Sequence, residues 1–327
     1  MQDELSEIAM KTLKIMRKKS DLTIIDIGAN DGTLLSYFPK NHFRIAVDPV
    51  KKFSNESKKH ANVVISDFFN YKSVLSSLGG RKADVITAIS CFYDMEKPNE
   101  FLADIVKIMD ENGVIVIQQN YLVKMLTQNA FDNIVHEHLE YYSLISLQSL
   151  LGKHDLEVFD IELRELNGGS FRTYVSKRGK IPITNAVHEQ VELENLINLK
   201  RGKIYTDFAK RIKSIKKDVY EFIKKEHSLG KKIYIYGAST RGNTLLQYFK
   251  LDNSLIEKAV ERNPEKWGTK IASVQIPIIS ESQARKEMPD YMLVLPWFFK
   301  EEFLQREKEY LKAGGHFIFP LPTLKVV

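Results

Sequence analysis

The chain has 327 residues, 43% hydrophobic and 28% charged, with 48 basic and 42 acidic side chains for a net charge of +6. That length suits two domains with separate cores, and the mild basic excess favours a small anionic substrate over a nucleic-acid groove. The single cysteine, Cys91, excludes an intrachain disulfide and a multi-cysteine zinc site, and no apolar run reaches the roughly twenty residues of a membrane span.

In chain order, the first nineteen residues carry Leu5, Ile8, Ala9, Leu13, Ile15 and Met16 at amphipathic helical spacing. Nothing at the start reads as a signal peptide, so the protein is expected in the cytoplasm. The lysines of this stretch (Lys11 to Lys19) and of a second (Lys210 to Lys225) fall at helical spacing and read as solvated helix faces. Next comes Thr23 to Leu35, TIIDIGANDGTLL. A short apolar run bounded by glycine and followed by a helical pattern predicts a buried parallel strand, a tight turn and a helix start. Gly28 and Gly32 admit positive φ or a ligand pressed against bare backbone, and N–H groups at the helix start attract anions. The spacing is Asp-x-Gly-x-x-x-Gly, whereas a dinucleotide site carries Gly-x-Gly-x-x-Gly. Two further strands end in acids. Asp48 follows Arg44 to Val47, where it can accept both ribose hydroxyls. Asp67 follows Val63 to Ile65 and precedes Phe68, a pair able to meet an adenine amino group and its face. Three such acids in this strand order resemble the S-adenosylmethionine site of class I methyltransferases. Candidate cofactor residues are Asp26, Gly28, Asn30, Asp31, Gly32, Asp48, Asp67, Phe68 and Ser90.

The alternation continues with strands at Asp84 to Ile89 and Val114 to Gln118 around a helix from Glu100 to Met109. It predicts a parallel sheet with helices on both faces and ligands at the carboxyl ends of its strands. A short helix, Leu144 to Gly152, follows. Glu157 to Leu163 and Ser170 to Ser176, joined by Asn167-Gly168-Gly169, predict an antiparallel extension. Thr184 to Ser228 shows no strand signal and reads as roughly two helices interrupted near Gly202. A charged helix pair of this kind is also a candidate homodimer contact. From Lys231 the alternation restarts. Strands are expected at Ile233 to Tyr236, Ala259 to Glu261, Ile276 to Ile279, Tyr291 to Leu295 and His316 to Phe319, with a glycine-rich turn at Gly237 to Gly242 and a helix over Asn243 to Phe249. The expected architecture is α/β: a class I methyltransferase Rossmann-like domain over 1–180, a helical connector over 181–228, and a smaller Rossmann-like domain over 229–327.

His136-Glu137-His138 lies between the two glycine turns, with Tyr141 and Tyr142 close behind. Metal binding has little support: on a strand the two histidines would share a face, yet the spacing is not His-Glu-x-x-His and no third ligand follows. Ordinary polar residues at a domain junction form a second reading. In the third, one histidine is a general base that the glutamate orients and whose pKa it raises, and Tyr141 or Tyr142 hydrogen-bonds a developing oxyanion.

The segments FDNIVHEHLEYYSL, NGGSFRTYVSK, YGASTRGNTLLQYF, ERNPEKWGTKI and IPII, in this order, resemble the sugar C-methyltransferases. These enzymes methylate keto-deoxy sugars carried on a nucleoside diphosphate, typically dTDP. The resemblance runs over most of the chain from Thr23. It implies that the first glycine turn holds S-adenosylmethionine, that Asp67 and Phe68 lie near the adenine, and that His138 is the base with Glu137 its partner. Asn167, Gly168, Gly169 and Ser170 would border the sugar. Tyr236, Gly237, Ala238, Ser239, Arg241, Gly242 and Asn243 would cradle the nucleotide, with Arg241 meeting the diphosphate and Glu261 a ribose hydroxyl. No metal is expected in this chain. The sequence departs from the family at three points: the cysteine-rich zinc module at the usual family start is absent from it, Val135 replaces a tyrosine, and Ser90 to Asp94 replaces a segment with Asn and His.

The implied reaction is removal by His138 of a proton beside a carbonyl, attack of the enolate carbon on the sulfonium methyl group, and release of a branched sugar and S-adenosylhomocysteine. Alternatives are an O- or N-methyltransferase on a sugar or phosphorylated acceptor, an NAD-dependent sugar oxidoreductase using the Gly237 turn, and a nucleotide-sugar binder without catalysis. The expected partner is a small nucleotide-sugar substrate, with neither nucleic acid nor membrane.

Overall fold

The computed structural model describes residues 2–17 and 20–327. Met1, Lys18 and Lys19, at the ends of the expected first helix, lie outside the described residues. In chain order the first half forms α1 (Gln2–Ile15), β1 (Thr23–Ile27), α2 (Thr33–Ser36), β2 (Phe43–Val47), α3 (Ser54–Ser57), β3 (Val63–Ile65), α4 (Tyr71–Leu78), β4 (Ala83–Ile89), α5 (Pro98–Ile108) and β5 (Met109–Asn120). There follow α6 (Leu122–Thr127), α7 (Leu144–Gly152), β6 (Leu156–Arg164), β7 (Ser170–Lys177), α8 (Asn185–Ile197) and α9 (Lys203–Ser228). The last third holds β8 (Ile233–Tyr236), α10 (Thr240–Phe249), β9 (Lys258–Glu261), β10 (Lys270–Ile271), β11 (Ile276–Ser280), α11 (Glu281–Glu287), β12 (Tyr291–Val294), α12 (Lys300–Arg306), α13 (Lys308–Lys312), β13 (His316–Phe319) and β14 (Lys325–Val326).

These elements divide into two compact units that are discontinuous in sequence. One comprises residues up to Tyr121, Leu139–Arg164 and Ser170–Ile197; the other comprises Leu122–His138, Glu165–Gly169 and Asn198–Val327. The expected connector is therefore shared out, α8 going to the first unit and α9 to the second. The two segments 122–138 and 165–169, which in sequence interrupt the first unit, belong to the second.

The first unit is built on a sheet of order β3-β2-β1-β4-β5-β7-β6. β1 to β5 are parallel, and β7 and β6 extend the sheet antiparallel beyond β5. Central strands covered on both faces have to be apolar almost throughout, and β1 is buried along its whole length. Ile24, Ala46, Val85, Val114 and Val116 pack with Ile8 and Ala9 of α1 and with Leu34, Leu35 and Phe38 into one core. Each such aliphatic side chain contributes about 1.5–3 kcal/mol by leaving water. α1 is further pinned by charge. Arg172 of β7, 1% exposed, donates to Glu4 (2.7 Å), Glu162 (2.9 Å) and Gln118 (2.6 Å), and Arg164 pairs with Glu4 and Glu7. A buried guanidinium requires such partners.

The second unit has its own sheet, β10-β11-β9-β8-β12-β13-β14. Its five central strands are parallel, and the two-residue strands β10 and β14 pair antiparallel at its edges. Neither edge strand was expected, since two residues carry no periodicity. α10 begins at Thr240, three residues ahead of the expected Asn243, because the Ser239 hydroxyl accepts the Gly242 N–H at 3.1 Å and caps it. In α9 the buried residues Phe208, Ile212, Ile215, Val219 and Ile223 repeat every three or four positions, one stripe of a long helix whose other faces are charged. Among the described residues no helix is long and apolar enough to cross a membrane, and no cluster of three His, Cys, Asp or Glu side chains could hold a metal ion.

Candidate functional site

In the first unit a cavity of about 430 Å³ opens at the carboxyl ends of β1 and β4. Its walls include Asp26, Gly28, Asn30, Asp31 and Ser90, five of the nine residues expected at the cofactor site. The volume lies in the roughly 300–1,000 Å³ range of small-molecule sites. Gly28 turns the chain out of β1 at φ +73°, and a Cβ there would stand 3.1 Å from the Cys91 sulfur. Both the backbone angle and the space therefore call for glycine. Cys91 itself donates to the Ile27 carbonyl at 3.3 Å, and burial pushes its thiol up far from thiolate formation. Its contribution is packing.

Asp26 is buried beneath this turn. Its carboxyl accepts the Thr87 hydroxyl at 2.6 Å across the β1–β4 pair. Burial outweighs that bond, with the Asp48 charge adding to it, and raises the pKa to about 7. Asp48 shapes the same turn, taking the Asn30 N–H on one oxygen and the Val50 N–H on the other, both at 2.8 Å. Asp31 accepts from the Thr33 backbone and hydroxyl. Asp48, Asp67, Phe68 and Gly32 stand outside the cavity wall. Gly32 is buried at the N-terminal cap of α2 against Ser57, Asp67 accepts the Phe68 N–H, and the Phe68 ring is 73% exposed, open to a stacking partner. Among the wall residues that the sequence reading did not single out, Gln2 and Leu5 come from α1, away from the strand–turn–helix stretch. Their only signal was the amphipathic pattern of a helix preceding β1.

The tyrosines and the Ser90–Asp94 segment meet in this unit. The Tyr93 carbonyl accepts the Leu139 and Glu140 N–H groups at 3.1 and 3.0 Å. Tyr142 is buried with its ring 5.4 Å from that of Phe92, and burial raises its pKa. Tyr141 is half-buried beside it, and Ser170, on β7, is buried with its hydroxyl unpartnered.

The second unit holds the remaining candidates. A cavity of about 340 Å³ lies at the carboxyl ends of β8 and β9, lined by Tyr236, Gly237, Ala238, Ser239 and Glu261 together with Arg262, Glu281, Glu302 and Arg306. Gly237 sits at φ +89°, and a Cβ on it would lie 2.8 Å from two carbons of the Pro296 ring. Glu261 shapes the wall by accepting the backbone N–H groups of Ala238, Arg262 and Asn263. The Tyr236 hydroxyl bonds Glu307 at 2.9 Å and is also met by Arg306. Arg306, which the sequence did not single out, is the basic side chain that α12 brings to this wall.

Arg241, Gly242 and Asn243 do not line that cavity. Arg241 was expected to meet a diphosphate. Its Nε and Nη2 instead donate to Asp132 Oδ2 at 3.0 and 2.6 Å, and its Nη1 donates to the Asn167 carbonyl at 2.7 Å. Trp297 Nε1 reaches the same Asp132 oxygen at 3.2 Å. A fully buried carboxylate thus has claimed the guanidinium. Gly168 and Gly169 are buried alongside, the former under the Trp297 ring and the latter against Lys124.

His136-Glu137-His138 forms a turn, not a strand, so the two histidines share no face. His136 and Glu137 are exposed, at 82% and 61% of their side chains. His138 is half-buried, and its Nδ1 lies 2.8 Å from the Asn133 carbonyl. A carbonyl only accepts, so Nδ1 carries the proton and Nε2 the lone pair. The expectation that Glu137 would orient this ring is corrected here. The Asn133 carbonyl faces Nδ1; desolvation lowers the pKa, the hydrogen bond to that carbonyl works against it, the Arg241 charge adds to the lowering, and Glu137 raises the pKa by the smallest of these effects.

Two family profiles match the chain. One, described as a methyltransferase domain, covers residues 1–161, and the other, described as a C-methyltransferase C-terminal domain, covers residues 165–322. The C-methyltransferase NovU of Streptomyces niveus is 30% identical over 327 residues, spanning 95% of this chain and 78% of that protein. Among solved structures, the plantazolicin methyltransferase BpumL in complex with SAH aligns with 53% of this chain and 82% of its own at 16% identity and a TM-score of 0.41. The magnesium protoporphyrin IX methyltransferase ChlM of Synechocystis PCC 6803 with bound SAH aligns over 53% and 82% of the two chains at 10% identity and a TM-score of 0.41.

Proposed function

The chain belongs to the C-methyltransferase family and is an S-adenosylmethionine-dependent methyltransferase, and from that premise we propose that it methylates a carbon of a nucleotide-linked keto-deoxysugar, with His138 as the base. One observation carries the reading. A single compact unit contains both the cavity at Gly237 and a histidine whose surroundings keep it neutral, while the cofactor residues belong to the other unit.

The first-unit cavity suits the cofactor in size, in its glycine turn and in its polar wall. Asp26, Gly28, Asn30, Asp31 and Ser90 would hold S-adenosylmethionine there, with Phe68 free to stack and Asp48 fixing the turn. Bound S-adenosylmethionine supplies an electrophilic methyl group, which ends on the substrate carbon and leaves S-adenosylhomocysteine. In the second unit Gly237, Ala238 and Ser239 give close backbone approach to a nucleoside diphosphate, and Glu261 offers an acceptor for a ribose hydroxyl. Asn167, Gly168 and Gly169 border the sugar. His138 Nε2 takes the proton from the carbon beside the sugar carbonyl, and the C–H electron pair passes into the enolate. A base whose pKa lies below the ordinary histidine value is unprotonated at neutral pH. A dTDP-linked keto-deoxysugar, anionic through its diphosphate, is the expected substrate class, and the reading includes a cytoplasmic location and a homodimer formed through the charged helices.

The test has two stages. Calorimetric titration should find S-adenosylmethionine and dTDP binding independently. Incubation with dTDP-linked keto-deoxysugars, read by mass spectrometry and NMR, should then give one new methyl group attached to carbon. A methyl group on oxygen or nitrogen would replace this reading with the heteroatom alternative. His138→Asn should lose turnover and keep cofactor binding; a variant with full activity would remove His138 from the mechanism.

A further inference from the structure

One face of α10 grips the loop that carries His138. Arg241 holds Asp132 through two bonds to one carboxylate oxygen. Three residues on, the Thr244 hydroxyl donates to the Ile134 carbonyl at 3.3 Å. One turn further, the rings of Tyr248 and Phe249 pack on Phe131 at 4.9 and 5.6 Å between centroids. Positions i, i+3, i+7 and i+8 of a helix lie on one side, so the four contacts form a continuous stripe. The loop so held runs from Phe131 to His138, and its Asn133 carbonyl is the group that faces the His138 ring. α10 is also the helix whose N-terminal cap, Ser239, lines the cavity at Gly237.

We propose that this face of α10 is the platform that positions His138, and that Arg241 is its positioning residue, fixing the loop through Asp132. The proposal rests on His138 being the base. It gives Arg241 a task different from phosphate binding, and it makes Asp132 a functional residue without contact to substrate. The guanidinium is anchored by Asp132, the Asn167 carbonyl and the face of the Phe298 ring, 4.6 Å away. It therefore presents a fixed positive charge to the loop. The charged groups acting on the imidazole are Arg241 from α10 and Glu137 from its own turn, with opposite effects, and the Arg241 guanidinium is paired with Asp132.

The experiment is an NMR titration of the histidine ring signals in the full chain, with His138 assigned by its loss in His138→Asn. It needs neither substrate nor turnover, so its failure is distinct from failure of the base assignment, which the turnover of His138→Asn decides. Arg241→Gln should move the His138 midpoint up, and Asp132→Asn, which frees the Arg241 charge, should move it down. Arg241→Lys should restore much of the parent midpoint. Opposed shifts at one histidine are not what general loosening gives, since loosening moves both variants toward the ordinary value. Shifts of the same sign, or no shift in either variant, would overturn the proposal. If Arg241→Gln does not fold, the downward shift in the near-isosteric Asp132→Asn carries the decision, and an upward or absent shift there refutes it.

Discussion

Replacing Gly237 by alanine tests the second-unit cavity most directly. The residue sits at φ +89°, where a side chain costs about 1–2 kcal/mol. The new methyl group would also lie 2.8 Å from Pro296 Cδ and Cγ, carbons of a rigid ring that cannot rotate away. Overpacking of that kind adds about 1–3 kcal/mol. The sum, roughly 2–5 kcal/mol, corresponds to a fall in Tm on the order of 10 °C for a unit of this size. Relief requires the turn to shift, and the turn is the cavity wall. Gly237→Ala should therefore lose at least about tenfold in dTDP affinity, equivalent to about 1.4 kcal/mol, and keep its S-adenosylmethionine affinity. Gly28→Ala, at φ +73° and 3.1 Å from the Cys91 sulfur, is the mirror experiment and should weaken the cofactor while sparing dTDP. Scanning calorimetry and paired titrations read both. A Gly237→Ala protein that binds dTDP like its parent, or loses both ligands in proportion, would refute the assignment of separate sites.

Other expectations follow from charge. Because the pKa of His138 is lowered, the neutral form of the proposed base predominates at pH 7, and kcat/KM should fall as pH drops through a value below 6.5; an acid limb above pH 7 would contradict this. Asp26 has a folded pKa near 7 against 3.8 ordinarily, so the native state binds the extra proton between those values and its stability declines as pH rises through that window. Asp26→Asn should flatten the decline, measured as Tm against pH, and an unchanged slope would count against a protonated Asp26. Glu4→Ala should cost about 1–3 kcal/mol by stripping one partner from buried Arg172, and it should raise the Kd for S-adenosylmethionine because Gln2 and Leu5 move with α1. Denaturant unfolding and calorimetry would measure the two effects, and an unchanged Kd would show that α1 only covers the core.

The strand and turn punctuation was legible because it is local. DIGANDG and YGAST each announce a strand, a tight turn and a helix, and both turns line cavities. The role of Arg241 was not legible, since its partner Asp132 lies 109 residues earlier in a stretch that reads as an ordinary loop. The one available signal was an acid set among apolar residues in AFDNIV. Nor does periodicity reveal that Gln2 and Leu5 reach the first-unit cavity, because a helix pattern gives the apolar face without giving its neighbour. His136 and Glu137 drew attention as chemistry-bearing types beside His138, yet on this turn both side chains are exposed to solvent. The antiparallel hairpin beyond β5 was readable from its glycine pair, while the allegiance of that glycine turn to the second unit was not.

The interleaving of the two units bears on how hybrid enzymes can be made. The chain passes from one unit to the other after Tyr121, His138, Arg164, Gly169 and Ile197. The two family profiles meet between residues 161 and 165, an inviting crossover point for exchanging halves between relatives. A crossover there would take Asp132 and His138 from one parent and Arg241, Thr244 and the Gly237 turn from the other. Mismatched parents would then yield hybrids whose His138 loop rests on a foreign helix. A graft that carries residues 122–138 and 165–169 along with 198–327 keeps the proposed base and the Gly237 turn together, and leaves the first unit to the recipient.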